Sequence, residues 1–218
     1  MILVTGFQSY GGRLQNPAEA VARALDGTRV AGLSVTGRTL PVDFHAVQRQ
    51  VPQLIDDLAP RVILSLGLWP GESVIRLERV AANWSLFELA DNAGYRLNGK
   101  VLPGGPDAYL STLPIDAIQT AIRAAGLPCR QSGSAGTYLC NATLYLVLNH
   151  CMLHQQGASA GFMHLPYLPE QVARLLDDIA ADGQLEMHQR ADFASMSLDS
   201  MISAVRIALE TAVRAIEA

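Results

Sequence analysis

At 218 residues, with 50% hydrophobic and 17% charged side chains, the chain suits one folded domain spanning residues 1–218. A formal charge of −4 without any cluster of Lys or Arg argues against a nucleic-acid partner, and no stretch approaches the roughly 20 apolar residues of a membrane span. The opening MILVTGF lacks the basic leader of an export signal and the cysteine count is odd, so free thiols in a cytoplasmic, reducing setting are expected.

Residues 2–5 are a short apolar run ending at Gly6, the first predicted strand. Residues 17–25 read as a helix with Asn16 as its N-cap and Pro17 in its first position. Residues 33–42 alternate like a strand. Residues 44–58 then carry helical spacing through Val47, Val51, Leu54, Ile55 and Leu58, although Pro52 predicts a kink or an early stop. Residues 61–67 (RVILSLG) form the strongest strand pattern, continuous and apolar as in a strand buried on both faces. A more polar strand is expected over 74–83, followed by a turn-rich loop over 91–107.

Helices are expected over 114–125, stopped by Gly126, and over about 140–154. Residues 158–164 make a small-residue strand that leads into a Pro-rich turn. Two further helices follow over 170–181 and about 198–216, the second with apolar residues every three to four positions. Strands and helices alternate throughout, so the expected architecture is an α/β protein with a helix-flanked, mainly parallel or mixed sheet.

Four groups of residues invite chemistry. The loop Gly6-Phe7-Gln8-Ser9-Tyr10-Gly11-Gly12 follows a strand but fits neither phosphate-binding pattern, because Arg13 stands where a P-loop needs Lys. Its two aromatics suit the wall of a small-molecule slot, or simply the core. Cys140 opens a predicted helix, where the macrodipole favours a thiolate and free N–H groups can stabilise an oxyanion. Yet Cys140 shares a helical face with Leu144, Val147, Leu148 and Cys151, which fits a buried structural thiol equally well. His164 ends a strand at the sheet edge where α/β sites assemble, and Glu78 is an acid within a strand, flanked by Arg76 and Arg79. His150 and His154, four apart, form a metal-binding spacing, but Cys151 replaces the Glu a metalloprotease places after its first His.

Taken together, these segments resemble the pyroglutamyl peptidase I family over nearly the whole chain. The landmarks are Thr5-Gly6-Phe7 through Gly11-Gly12 with Asn16-Pro17; Glu78-Arg79-Val80-Ala81-Ala82-Asn83; and Gly105-Pro106 with Ser111-Thr112-Leu113-Pro114. Ala135-Gly136-Thr137-Tyr138-Leu139-Cys140-Asn141 and Gly161-Phe162-Met163-His164-Leu165-Pro166 complete them. The resemblance implies a three-layer α/β/α sandwich, a homo-oligomer (dimer or tetramer), no metal or other cofactor, and a peptide or small-molecule amide substrate. It implies a triad of Glu78, Cys140 and His164 that removes an N-terminal pyroglutamyl residue through a thioester. It further implies that Phe7 and Tyr10 sandwich the lactam ring, that Tyr138 and Leu139 line the slot, and that Asn16 supplies a polar contact.

Three positions depart from the family pattern. Leu68 stands where a Gln usually contacts the lactam, Val42 replaces a common Thr, and Glu88 falls where an Arg near the catalytic centre is usual. The alternative reading is therefore a non-catalytic or specificity-shifted homologue that binds small lactams or N-terminal groups.

Overall fold

In the computed structural model, which describes residues 1–183 and 193–217, the chain begins with β1 (Ile2–Phe7), α1 (Pro17–Leu25), β2 (Arg29–Val30), β3 (Leu33–Leu40) and α2 (Phe44–Leu58). It continues through β4 (Val62–Leu68), β5 (Ile75–Glu78), β6 (Val80–Ala82), β7 (Ser85–Leu86), β8 (Asn98–Gly99) and β9 (Ala108–Leu110). The remaining elements are α3 (Ile115–Ala124), β10 (Cys129–Ser132), α4 (Leu139–Leu153), β11 (Ser159–Leu165), α5 (Pro169–Asp182) and α6 (Leu198–Glu217). None of the described helices is long and apolar enough to cross a membrane.

Seven strands form the central sheet in the order β10-β5-β11-β4-β1-β3-β2. The four middle strands, β11, β4, β1 and β3, are parallel, whereas β5 runs antiparallel to β11 and β10 follows β5. Successive side chains of a strand face opposite sides, and the sequence uses both sides. Ile2 and Val4 of β1, with Val62, Leu64 and Leu66 of β4, pack against α1, α3 and α6. Leu3, Phe7, Ile63 and Phe162 pack on the other face, where α2 and α4 lie against each other. This is the expected three-layer α/β/α arrangement, with a mixed sheet that is mainly parallel.

The helix termini follow the local chemistry. The Asn16 Oδ1 accepts the Ala18 N–H at 3.0 Å, and Asp43 accepts that of Ala46 at 3.0 Å to start α2. Pro52 does not interrupt α2, which runs on to Leu58 and ends on left-handed Ala59. Helix α4 lacks a polar stripe, and Leu144, Tyr145, Leu146, Val147 and Leu148 are all buried between the sheet and its neighbours.

Two expectations change. The strand expected over 74–83 breaks at Arg79, because Glu78 is the last residue paired with β11 and β6 turns away to pair with β9. The strand expected over 33–42 stops at Leu40, before Pro41.

Candidate active site

Strand parity gathers the polar residues on the α2/α4 side of the sheet. In β5, Ile75 and Leu77 point into the other core, which leaves Arg76 and Glu78 facing α4. In β11, Met163 and Leu165 do the same, so His164 joins Phe162 on the α4 side. The register sets Phe162 opposite Glu78 and His164 opposite Arg76, while on its other edge His164 pairs with Gly67 of β4.

This brings Glu78 and His164 into direct contact. His164 Nδ1 lies 2.8 Å from Glu78 Oε1, and both side chains are essentially inaccessible to water. The same oxygen accepts a second hydrogen bond from Arg76 Nε at 3.0 Å. The far ring nitrogen, His164 Nε2, is buried without a partner among the described residues.

Cys140 is the second residue of α4. Asn141 pins the start of that helix to the strand region after Glu78. Its Oδ1 accepts the Ala82 N–H at 2.9 Å, and its Nδ2 donates to the carbonyls of Ala82 and Trp84. The partly buried thiol then rests against β4 at Gly67, where an added Cβ would stand 2.8 Å from Sγ and 2.9 Å from the Phe162 ring. Only glycine permits that approach. Gly67 is also the register neighbour of His164, so the thiol sits beside the imidazole–carboxylate pair.

All five residues expected to bind substrate line one narrow, tightly closed slot of about 10 Å³ that reaches Cys140. These are Phe7, Tyr10, Asn16, Tyr138 and Leu139. Val42 and Leu68 complete its wall, so two of the three departures face the slot itself. Tyr10 and Tyr138 approach each other at 6.0 Å between ring centroids. Burial holds the Tyr10 phenol well above its ordinary value and pushes that of Tyr138 up to about 12, so both remain O–H donors at neutral pH. Asn16 is already engaged: beyond capping α1, its Nδ2 donates to the Gln8 carbonyl at 3.0 Å. Asn16 therefore keeps one Nδ2 N–H and one Oδ1 lone pair for a ligand.

Glu88, the third departure, is exposed and forms no ion pair among the described residues; Arg96 reaches its carbonyl instead. His150 hydrogen-bonds Asp56 at 2.7 Å, and its ring lies tilted against that of His154 at 4.2 Å between centroids. No three His, Cys, Asp or Glu side chains among the described residues are grouped as metal ligands.

The protonation states differ from the expectation at the helix start. Burial pushes the Cys140 thiol up to about 12, and the nearby Glu78 charge adds to the shift. Burial likewise holds His164 below its ordinary value, against the pull of Glu78 and with Arg76 reinforcing it. Burial works against ionisation of Glu78 too, but the His164 hydrogen bond, with the Arg76 charge, holds its carboxyl below the usual carboxylate range. The site thus pairs a neutral thiol with a neutral imidazole oriented by a carboxylate. The dipole of α4 does not overcome desolvation.

Two contributors were not anticipated, Arg76 and Trp69. The guanidinium lies over the Trp69 ring at 3.6 Å, and that ring meets His164 edge-on at 4.9 Å. The signal for Arg76 was its spacing of two from Glu78, which places both on one face of a strand.

A thiol at a helix start beside a buried imidazole–carboxylate pair is the equipment of a thiol hydrolase. Similarity to known proteins narrows the class. The pyroglutamyl peptidase family model matches residues 1–215. A pyrrolidone-carboxylate peptidase of Pyrococcus furiosus is 37% identical over 97% of both chains, and one of Chromobacterium violaceum is 40% identical over 96% of this chain and 90% of its own. A mutant pyrrolidone carboxyl peptidase structure from P. furiosus superposes with a TM-score of 0.90 at 36% identity, covering 99% of each chain. The chain belongs to the pyroglutamyl peptidase family, cysteine peptidases that remove N-terminal pyroglutamate.

Proposed function

We propose that this chain is a cysteine omega-peptidase that cleaves the bond after an N-terminal pyroglutamyl or related blocked residue, with Cys140 as nucleophile, His164 as acid–base and Glu78 as its orienting partner. The observation that carries this reading is the buried Glu78–His164 contact, whose free Nε2 lies on the same side of the sheet as Cys140 and the aromatic slot.

Glu78 accepts the Nδ1 proton of His164, which leaves the Nε2 lone pair for the reaction. As Sγ attacks the pyroglutamyl carbonyl carbon, Nε2 takes the thiol proton. The first turn of α4 faces the developing oxyanion. The first helical bond runs from the Ala142 N–H to Tyr138, so the N–H groups of Leu139, Cys140 and Asn141 lie ahead of it without a side-chain cap. The imidazolium then passes its proton to the departing amine as the C–N bond breaks. Water, giving a proton to Nε2, opens the thioester; pyroglutamate leaves and the thiol is restored.

A fluorogenic pyroglutamyl amide tests this. Wild type is expected to release the fluorophore, and Cys140→Ala is not. A wild type no better than Cys140→Ala on this and related N-blocked amides overturns the catalytic reading. Leu68 and Val42, both buried in the slot wall, favour a shifted specificity as the second reading. The proposal extends to one domain over residues 1–218 in a cytoplasmic homo-oligomer, a dimer or tetramer. Light scattering on the purified chain tests the oligomer, and a monomer at micromolar concentration rejects it.

A further inference from the structure

Arg76 donates hydrogen bonds to Glu78 and to the segment that precedes α4. Its Nε shares Glu78 Oε1 with His164, while Glu78 Oε2 has no partner among the described residues, so the carboxylate is held through one oxygen alone. Its Nη2 donates to Ser132 Oγ at 2.6 Å and to the Ser134 carbonyl at 2.9 Å, and Ser134 opens the segment that leads to Cys140. Its Nη1 lies 3.6 Å from Glu72 Oε2, and the Trp69 ring contacts both the guanidinium and the imidazole. Trp69 also closes on Gly136, where an added Cβ would meet its ring at 3.2 Å. One side chain therefore ties together β5, the loop after β4 and the loop before α4.

From this geometry we infer that Arg76 is a positioning residue of the catalytic group, fixing the Glu78 carboxylate and governing how readily His164 takes up a proton. The inference rests on the triad reading above. A plain ion-pair role would need only one contact to Glu78. The planar fork instead spends separate donors on Glu78 and on the approach to Cys140, which an ammonium cannot reproduce.

The charged or titratable groups around His164 are Glu78 and Arg76 from β5, Glu72 from the loop after β4 and Cys140 from α4; Trp69 and Phe162 supply aromatic contact. Residues opposite each other in an antiparallel pair stand roughly 5 Å apart at Cβ, so the Arg76 charge acts on the imidazole at short range. Removing it leaves Glu78 unshared and favours the imidazolium.

The test follows His164 in two ways, by NMR titration of its ring protons and by the acid limb of kcat/KM on a pyroglutamyl amide. Arg76→Gln is expected to move both upward by about one pH unit, which lowers kcat/KM about tenfold on the acid side. Arg76→Lys keeps the charge and is expected to leave the midpoint in place while lowering kcat about tenfold. If Arg76→Gln lowers activity equally at every pH with an unmoved His164 midpoint, the inference is overturned. Should Arg76→Gln fail to fold, Ser132→Ala loosens the fork without stranding a charge. It is expected to shift the limb in the same direction by less, and an unmoved limb counts against the inference. The NMR arm requires no turnover: a moved midpoint in a protein that cleaves no blocked amide sinks the peptidase reading and leaves the Arg76–His164 coupling standing.

Discussion

Desolvation and the helix dipole act on Cys140 in opposite senses, and the structure shows which dominates. A first-turn position alone favours a thiolate, yet the contact with β4 at Gly67 and the proximity of Glu78 push the thiol up to about 12. Proton transfer to His164 must then accompany attack. The alkylation rate of Cys140 by iodoacetamide is accordingly expected to climb with pH through the alkaline range, without a plateau near neutrality. A plateau below pH 7, followed by mass spectrometry of the modified cysteine, rejects this. Leu68 is the second residue whose chemistry decides something. It is buried in the slot wall, and a lactam group left unpaired against it costs about 1–3 kcal/mol. Leu68→Gln is expected to lower KM for pyroglutamyl amides by roughly ten- to a hundredfold. An unchanged KM with unchanged kcat removes Leu68 from the account of specificity.

At the scale of elements, the site depends on how close α4 can come to β4. Gly67→Ala is expected to displace Sγ or the Phe162 ring while leaving the fold intact, and to reduce kcat about a hundredfold, since a shift of about 1 Å at a reacting atom has that effect. Circular dichroism and the amide assay separate the two, and full activity in Gly67→Ala rejects the close-approach argument. Elements with strong periodicity (α1, α6) or a continuous apolar run (β1, β4, α4) were legible in the sequence, and all lie within a residue or two of expectation. The misses have physical causes. β10 is four residues with three polar members at the sheet edge, too short and polar to show a period. The break at Arg79 is dictated by distant partners: its N–H donates to the Ser132 carbonyl, and its own carbonyl accepts from Ser111. Of the two outcomes expected at Pro52, the early stop does not occur, because α2 packs through Val47, Val51 and Ile55 and continues past it. In the site, the slot residues were legible through family resemblance, whereas Arg76 and Trp69 required the β5–β11 register.

At the scale of the whole molecule, a neutral imidazole and an ionised carboxylate buried between two apolar cores couple stability to pH. His164 is held below its ordinary value of 6.5, so between that value and its folded one the unfolded chain binds a proton that the native chain does not. Stability is therefore fully present above pH 6.5 and falls as pH drops through the folded His164 value. Glu78 acts in the same sense in a lower window, contributing above its ordinary 4.5 and losing that contribution as pH falls through its depressed value. Asp56 and Asp116, also held low by hydrogen bonds to His150 and Arg79, act in that lower window as well. The windows separate cleanly enough to test. Between pH 7 and 5 the midpoint of thermal unfolding is expected to fall in wild type, and the fall is expected to be smaller in His164→Gln, which has no imidazole to charge on unfolding. Below pH 4.5 both proteins are expected to lose stability, wild type the more steeply because His164 is part of what holds the Glu78 carboxyl low. Identical slopes between pH 7 and 5 would mean that folding leaves the His164 pKa unshifted, and a wild type that gains stability relative to His164→Gln as pH falls from 7 would return the site to a preformed thiolate–imidazolium pair.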